Sequence, residues 1–225
     1  FAAHFAAAGP QKVIPYFENQ LQTYLENHQL QLHLTAKLEL AAAKTYDGVI
    51  VATGAEYQQS RIPGNAVKLS LAELLQKPVF PGKRALVVDD LGDEKAVVAC
   101  RHLCQHGYQV VLVTTAAYQA AKLVKLGEFG AWYGEMAALG ILEKANARVV
   151  SADVEQLVLA DVYTAQQEAL AGVDVVIEIA APKVQDDLWQ ALQRQGVPCV
   201  CVGDAVAPRG LAAALREGYA AAIGW

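Results

Sequence analysis

The stretch that most limits what this chain can fold into is 84–115, RALVVDDLGDEKAVVACRHLCQHGYQVVLVTT. ALVVDD is a short apolar strand with a polar end. EKAVVACRHLCQHG has helical spacing and closes on Gly107, a residue that readily takes the left-handed conformation a helix terminus needs. YQVVLVTT is a second apolar strand. Strand, helix and strand within about 30 residues make a parallel crossover unit. The strands read as continuous apolar runs because a parallel sheet is covered on both faces. The chain is therefore expected to be α/β with a parallel sheet.

The rest of the sequence fits that frame. Residues 11–28 carry Val13, Ile14, Phe17, Leu21 and Leu25 at helical spacing. LQLHLTAKLEL alternates Leu30, Leu32 and Leu34 and predicts a strand. Val49–Ala52 is a buried strand closed by Thr53-Gly54. PVFPGK, 78–83, is punctuation that opens a fresh unit. After a mostly helical 116–145, ARVVSA, EQLVLAD and VYTAQQE predict a small antiparallel meander. VDVVIEIA is a further strand, Asp186–Gln195 a helix, VPCVCVGDA a strand, and PRGLAAALREGYAAAIGW a closing helix. The order suggests an inserted domain, 83–196, between two pieces of another, 1–82 and 197–225.

Composition excludes several classes. The 225 residues, 54% hydrophobic, suit one large or two small domains. A net charge of −5 leaves no basic footprint for nucleic acid. No apolar run reaches the roughly 20 residues of a membrane span. The opening FAAHFAAAGPQK lacks a basic leader. A chain that begins on Phe reads as part of something longer. Cys100, Cys104, Cys199 and Cys201 read as reduced thiols of a cytoplasmic protein, and not as a zinc knuckle despite His102 and His106 nearby. None of the histidines has a triad context, and Ser60, Ser70 and Ser151 lack a nucleophile-elbow setting. Trp132 and Tyr133 read as a packed aromatic pair, with a docking surface as the alternative.

Two strand ends carry the candidate site. Ala52-Thr53-Gly54 closes one strand, and Gly203-Asp204-Ala205 closes another, with Arg209 following. Ligands of open α/β sheets sit beyond the carboxyl ends of strands. Glycine there lets a ligand approach the backbone. Asp204 can accept from a ribose or ribityl hydroxyl, and the helix after Pro208 can aim its N–H groups at a pyrophosphate. The opposing reading is two ordinary strand ends, with Asp204 as a helix cap.

YDGVIVATGA, then IPG, then the crossover unit, then VGDAVAPRGLAAALREG resembles the C-terminal nucleotide-binding region of the Old Yellow Enzyme-related iron–sulfur flavoproteins. That group includes 2,4-dienoyl-CoA reductase, trimethylamine and histamine dehydrogenases and N-methyl amino acid demethylases. The resemblance implies two Rossmann-like units of FAD/NAD(P)-binding type, the second inserted in an incomplete first that lacks its opening β-α-β. It implies FAD or ADP at Ala52, Thr53, Gly54, Gly203, Asp204, Ala205 and Arg209. It also implies an N-terminal TIM barrel on the same polypeptide, carrying FMN and a 4Fe–4S cluster and doing the chemistry.

The inserted unit departs from that pattern where a nicotinamide dinucleotide would bind. Its G-x-G-x-x-G positions, counted from Asp89, are Asp89, Leu91 and Glu94. Asp93 is placed to cap the helix, where a carboxylate contributes about 0.5–2 kcal/mol. A diphosphate about 5 Å from such a carboxylate meets on the order of 3 kcal/mol of repulsion per pair at an effective dielectric near 20, or about two decades of affinity. The second strand ends Val113-Thr114-Thr115 without the acid that would hold a ribose. NAD(P)H is therefore disfavoured. The expected function is a non-catalytic nucleotide-fold region of an FMN/iron–sulfur oxidoreductase of the amine dehydrogenase or demethylase kind, with an electron-acceptor protein as partner and self-association open. The alternatives are an NAD(P)H-binding domain of a dienoyl-CoA or enone reductase, and a structural module with no ligand.

Overall fold

A computed structural model describes residues 13–27, 30–58, 60–76, 82–127 and 129–224. The proline punctuation at 78–81, His4 and His28 lie outside them. In chain order come α1 (Val13–Glu26), α2 (Leu40–Ala43), β1 (Val49–Val51), β2 (Ala55–Glu56), β3 (Val67–Leu69) and α3 (Leu71–Gln76). Then follow β4 (Arg84–Asp89), α4 (Glu94–Gln105), β5 (Gln109–Val113), a 3-10 turn at Ala121–Leu126, α5 (Phe129–Leu139) and β6 (Leu142–Lys144). Next are β7 (Ala147–Ala152), β8 (Gln156–Asp161), β9 (Gln167–Ala171), β10 (Val175–Ile179) and β11 (Lys183–Val184). Last come α6 (Asp187–Arg194), β12 (Cys199–Cys201), a 3-10 turn at Gly203–Ala205 and α7 (Leu211–Ile223).

These elements form two compact units, one built on Gln59–Ala181 and the other on Ile14–Gln58 with Pro182–Trp225. In the first, a five-stranded sheet runs β3-β10-β4-β5-β6, parallel throughout. The continuous apolar strands have the predicted cause. Ala85 and Val87 of β4 enter one core with Val97, Leu103 and Trp132. The alternate residues Leu86 and Val88 enter a second core with Leu157 and Leu159 of the meander. Both faces are covered, so no polar residue interrupts the strand between Arg84 and Asp89. Fully burying a side chain such as Leu86 contributes about 1.5–3 kcal/mol.

The meander β7-β8-β9 is antiparallel, but its third strand lies later than VYTAQQE suggests. Asp161 Oδ1 accepts from the N–H groups of Tyr163 and Thr164 at 2.9 and 2.8 Å. This ties the first half of that run into the turn, and β9 begins at Gln167.

The second unit holds a parallel pair, β1 with β12, and an antiparallel pair, β2 with β11. Ala43, Val51, Leu192 and Val197 form its core. The strand expected from Leu30, Leu32 and Leu34 is absent: 30–39 make no ladder, Thr35 sits at φ 55°, and all three leucines are exposed. Alternation makes a strand only where a neighbour supplies hydrogen bonds and a face to bury. α2 and the short β2 and β11 carry too few residues for any period to register.

Candidate functional site

The mouth of the crossover unit is held shut by its own side chains. Asp89 is 1% exposed. Its Oδ1 accepts the Gly92 N–H at 2.6 Å and its Oδ2 accepts the Ala120 N–H at 2.9 Å. Burial pushes its pKa up, opposed by those N–H groups and reinforced by Asp93. The Thr114 hydroxyl, at the end of β5, donates to the Asp89 carbonyl at 2.7 Å. The Lys122 N–H donates to the Gly92 carbonyl at 2.7 Å. The 3-10 turn at 121–126 is thereby fastened onto the loop between β4 and α4. Asp93 caps α4 as the sequence indicates: its carboxylate accepts from the Lys95 N–H at 3.0 Å and pairs with Lys95 Nζ at 2.8 Å.

A third acid from β10 adds to this mouth. Glu178 Oε2 is buried without a hydrogen-bond partner in the described structure. Desolvation, then the Glu178 and Asp89 carboxylates, raise Asp90. The backbone donors a diphosphate would use are thus engaged by carboxylates, and further negative charge surrounds them. These residues do not fit a nicotinamide dinucleotide. The missing glycines of this loop are visible in the sequence. The role of Ala120, 31 residues downstream, has no local signal.

The second unit brings its two strand ends together. β1 and β12 pair with Val51 opposite Cys201, and the Val202 N–H donates to the Val51 carbonyl at 3.0 Å. Ala52 and Thr53 therefore leave the sheet beside Gly203. Ala52 and Thr53 are exposed and Gly54 half-buried. The Thr53 hydroxyl donates to the Gln185 carbonyl, and the Gln185 N–H donates to the Gly54 carbonyl at 3.0 Å. A methyl group built on Gly54 would meet nothing within 4 Å, so this corner is open.

Gly203 and Ala205 are buried, Asp204 is half-buried and Arg209 exposed. Gly203 sits at φ 66°, and a Cβ there would lie 3.3 Å from the Ala214 Cβ of α7. Close helix packing and a left-handed turn account for this glycine. Asp204 does not cap α7, whose N-cap is Gly210. Instead its Oδ1 accepts the Arg209 N–H at 3.3 Å. Glu217 gave no sign of a role in the sequence. Its Oε2 accepts the Gly203 N–H at 2.8 Å and its Oε1 pairs with Arg209 Nη2 at 2.5 Å. Asp204 fits a sugar hydroxyl. The Gly203 N–H and the Arg209 guanidinium are donors of the kind a diphosphate uses, and Glu217 engages both.

The other candidates fall into packing roles. Burial pushes the Cys100 thiol well up, and burial with the neighbouring His106 lowers His102. The two rings lie 4.4 Å apart. No group of three or more potential metal ligands occurs among the described residues. The cysteines there are free. Trp132 is 2% exposed. Tyr133 donates to Glu143 Oε1 at 2.6 Å. No described helix is long and apolar enough to cross a membrane.

Fold and site together define an α/β chain with a parallel sheet, an acid-filled crossover mouth and an open corner between two parallel strand ends. Neither a protein-family model nor a curated protein matches the sequence. Among solved structures the fold is similar to that of histamine dehydrogenase from Rhizobium sp. 4-9, with 24% identity over 83% of this chain and 32% of that one and a TM-score of 0.74. It is similar to 6-hydroxypseudooxynicotine amine oxidase from Pseudomonas geniculata N1, with 20% identity over 84% of this chain and 30% of that one and a TM-score of 0.74. It is also similar to a 2-naphthoyl-CoA reductase solved with 2-naphthoyl-CoA, with 17% identity over 88% of this chain and 30% of that one and a TM-score of 0.73. The chain spans about a third of the length of these oxidoreductases.

Proposed function

We propose that this chain is the nucleotide-fold region of a multidomain FMN/iron–sulfur oxidoreductase of the amine dehydrogenase or demethylase kind. In this reading the chain is itself non-catalytic. Its first unit is a nucleotide-type domain that has given up NAD(P)H. Its second is the incomplete FAD- or ADP-binding-type domain, with Asp204 on a sugar hydroxyl, Gly203 and Arg209 toward the diphosphate, and Ala52, Thr53, Gly54 and Ala205 shaping the corner. FAD held there would supply redox chemistry, and ADP none. The barrel implied by the sequence resemblance would carry FMN and the cluster and pass electrons to an acceptor protein.

The Asp89 lock supports this reading best. A loop whose donors are spent on a buried carboxylate suits a scaffold that no longer receives hydride. Likeness to two amine-oxidising enzymes agrees with it. The fold similarity to a CoA-thioester reductase favours the competing reading of an NAD(P)H-fed domain, but the lock opposes that. Isothermal titration of the full chain decides between them. We expect heat from ADP and none from NADH at micromolar concentrations. NADH binding abolished by a substitution in the 89–93 loop would overturn the proposal.

A further inference from the structure

Resting on the reading of the β1–β12 corner as a nucleotide site, we infer that Glu217 is an internal competitor for the nucleotide's phosphates, a carboxylate latch that must open before a diphosphate can bind. Two groups at this corner suit an anion: the N–H of Gly203, at the end of β12, and the guanidinium of Arg209. Both already converge on one side chain. Glu217 accepts the Gly203 N–H at 2.8 Å through one oxygen and holds Arg209 Nη2 at 2.5 Å through the other. A carboxylate spanning a backbone donor and an arginine occupies, in charge and in geometry, the place of a phosphate oxygen pair.

The latch is local and able to move. Glu217 lies near the middle of α7, and helical side chains lean toward the helix N-terminus. That direction leads back to the 203–209 loop. The Glu217 side chain is 24% exposed and Arg209 46%, so water can take over both groups when the pair parts. Asp204 has a contact of its own, accepting the Arg209 backbone N–H, while Glu217 holds the Gly203 N–H and the Arg209 guanidinium. The sugar contact and the phosphate contact are therefore independent. A nucleotide must displace Glu217 for its diphosphate, and a nucleoside need not.

The test titrates ADP and adenosine into the full chain, wild type and Glu217→Gln. Glutamine keeps an acceptor for the Gly203 N–H and removes the charge that holds Arg209. The inference expects ADP to bind the variant at least tenfold more tightly, with adenosine unchanged. Equal ADP affinity in both proteins overturns the latch and leaves the nucleotide site standing. Weaker ADP binding in the variant overturns it too, because Glu217 would then build the site. An equal gain for adenosine overturns it, because the phosphates would play no part. Absence of ADP binding to either protein overturns both the latch and the site. Should Glu217→Gln fail to fold by circular dichroism, Glu217→Ala is read by the same criteria.

Discussion

Replacing Asp89 with alanine tests the lock directly. The side chain holds two backbone N–H groups, of Gly92 at 2.6 Å and of Ala120 at 2.9 Å. Ala120 is 1% exposed, so water cannot readily replace the lost acceptor. Stranding the buried Ala120 donor costs about 1–3 kcal/mol, and the half-buried Gly92 donor, which water can partly satisfy, costs less. Against this, the variant no longer desolvates a carboxylate, and that burial is the largest influence on Asp89. The net loss is expected at about 1–3 kcal/mol. Asp89→Asn keeps one acceptor but turns an amide N–H toward the other donor, for a loss of about 1–2 kcal/mol. Urea unfolding of the full chain, with tryptophan fluorescence and far-ultraviolet circular dichroism followed together, measures both. Amide exchange at Gly92 and Ala120 should quicken in the alanine variant. The pH dependence has a fixed sign. The folded chain raises this carboxyl's pKa, so the wild type's advantage over alanine is largest below 3.8 and shrinks as pH climbs through the folded value. A change under about 0.5 kcal/mol in Asp89→Ala, the scale of an ordinary surface substitution, would refute the lock.

Three further outcomes are expected. Gly203→Ala must hold alanine at φ 66° with its Cβ 3.3 Å from that of Ala214. The left-handed conformation alone costs about 1–2 kcal/mol, so thermal melts should show a lower Tm, and an unchanged Tm would show that the turn relaxes freely. Asp174 accepts N–H groups from Lys83 and Arg84 at 2.7 and 2.9 Å, and the Arg84 and Lys83 donors hold its carboxyl below the usual range. Its contribution is complete above 3.8 and lost as pH falls through the folded value, so the stability gap between wild type and Asp174→Asn should narrow in acid, and a constant gap would count against it. Burial and then the Glu143 carboxylate push Tyr133 up to about 12. Spectrophotometric titration should lose a phenol ionising near that pH in Tyr133→Phe, and identical curves would contradict the contact.

What could be read from the sequence, and what could not, divides by distance along the chain. The crossover unit was legible because β4 and β5 are buried on both faces and their apolar runs are bounded by a cap at Asp93 and a glycine at 107. Asp204 and Gly203 were legible as a strand end. Glu217 was not: it meets Gly203 from 14 residues away on another element, and only the turn of the chain makes them neighbours. Ala120 has no local signal for the same reason, lying 31 residues from Asp89. Leu30, Leu32 and Leu34 misled because alternation reports a strand only when a partner strand exists, and their segment has none.

The β1–β12 ladder carries a consequence for how the protein is made. It joins Val49 to Cys199, on opposite sides of the whole inserted unit. A ribosome releases β1 long before β12, so the outer ladder must wait while the inner unit is already free to assemble. Assembly of the inner unit shortens the wait. Its β3–β10 pairing sets Val67 beside Val175, on strands about 4.8 Å apart, so folding of the inner unit fixes where each flank starts. The entropy of closing a loop grows with the logarithm of its length, and here most of the intervening chain is already ordered in a folded body. Biogenesis therefore runs from the inside outward, with the corner that holds Gly203 and Asp204 completed last.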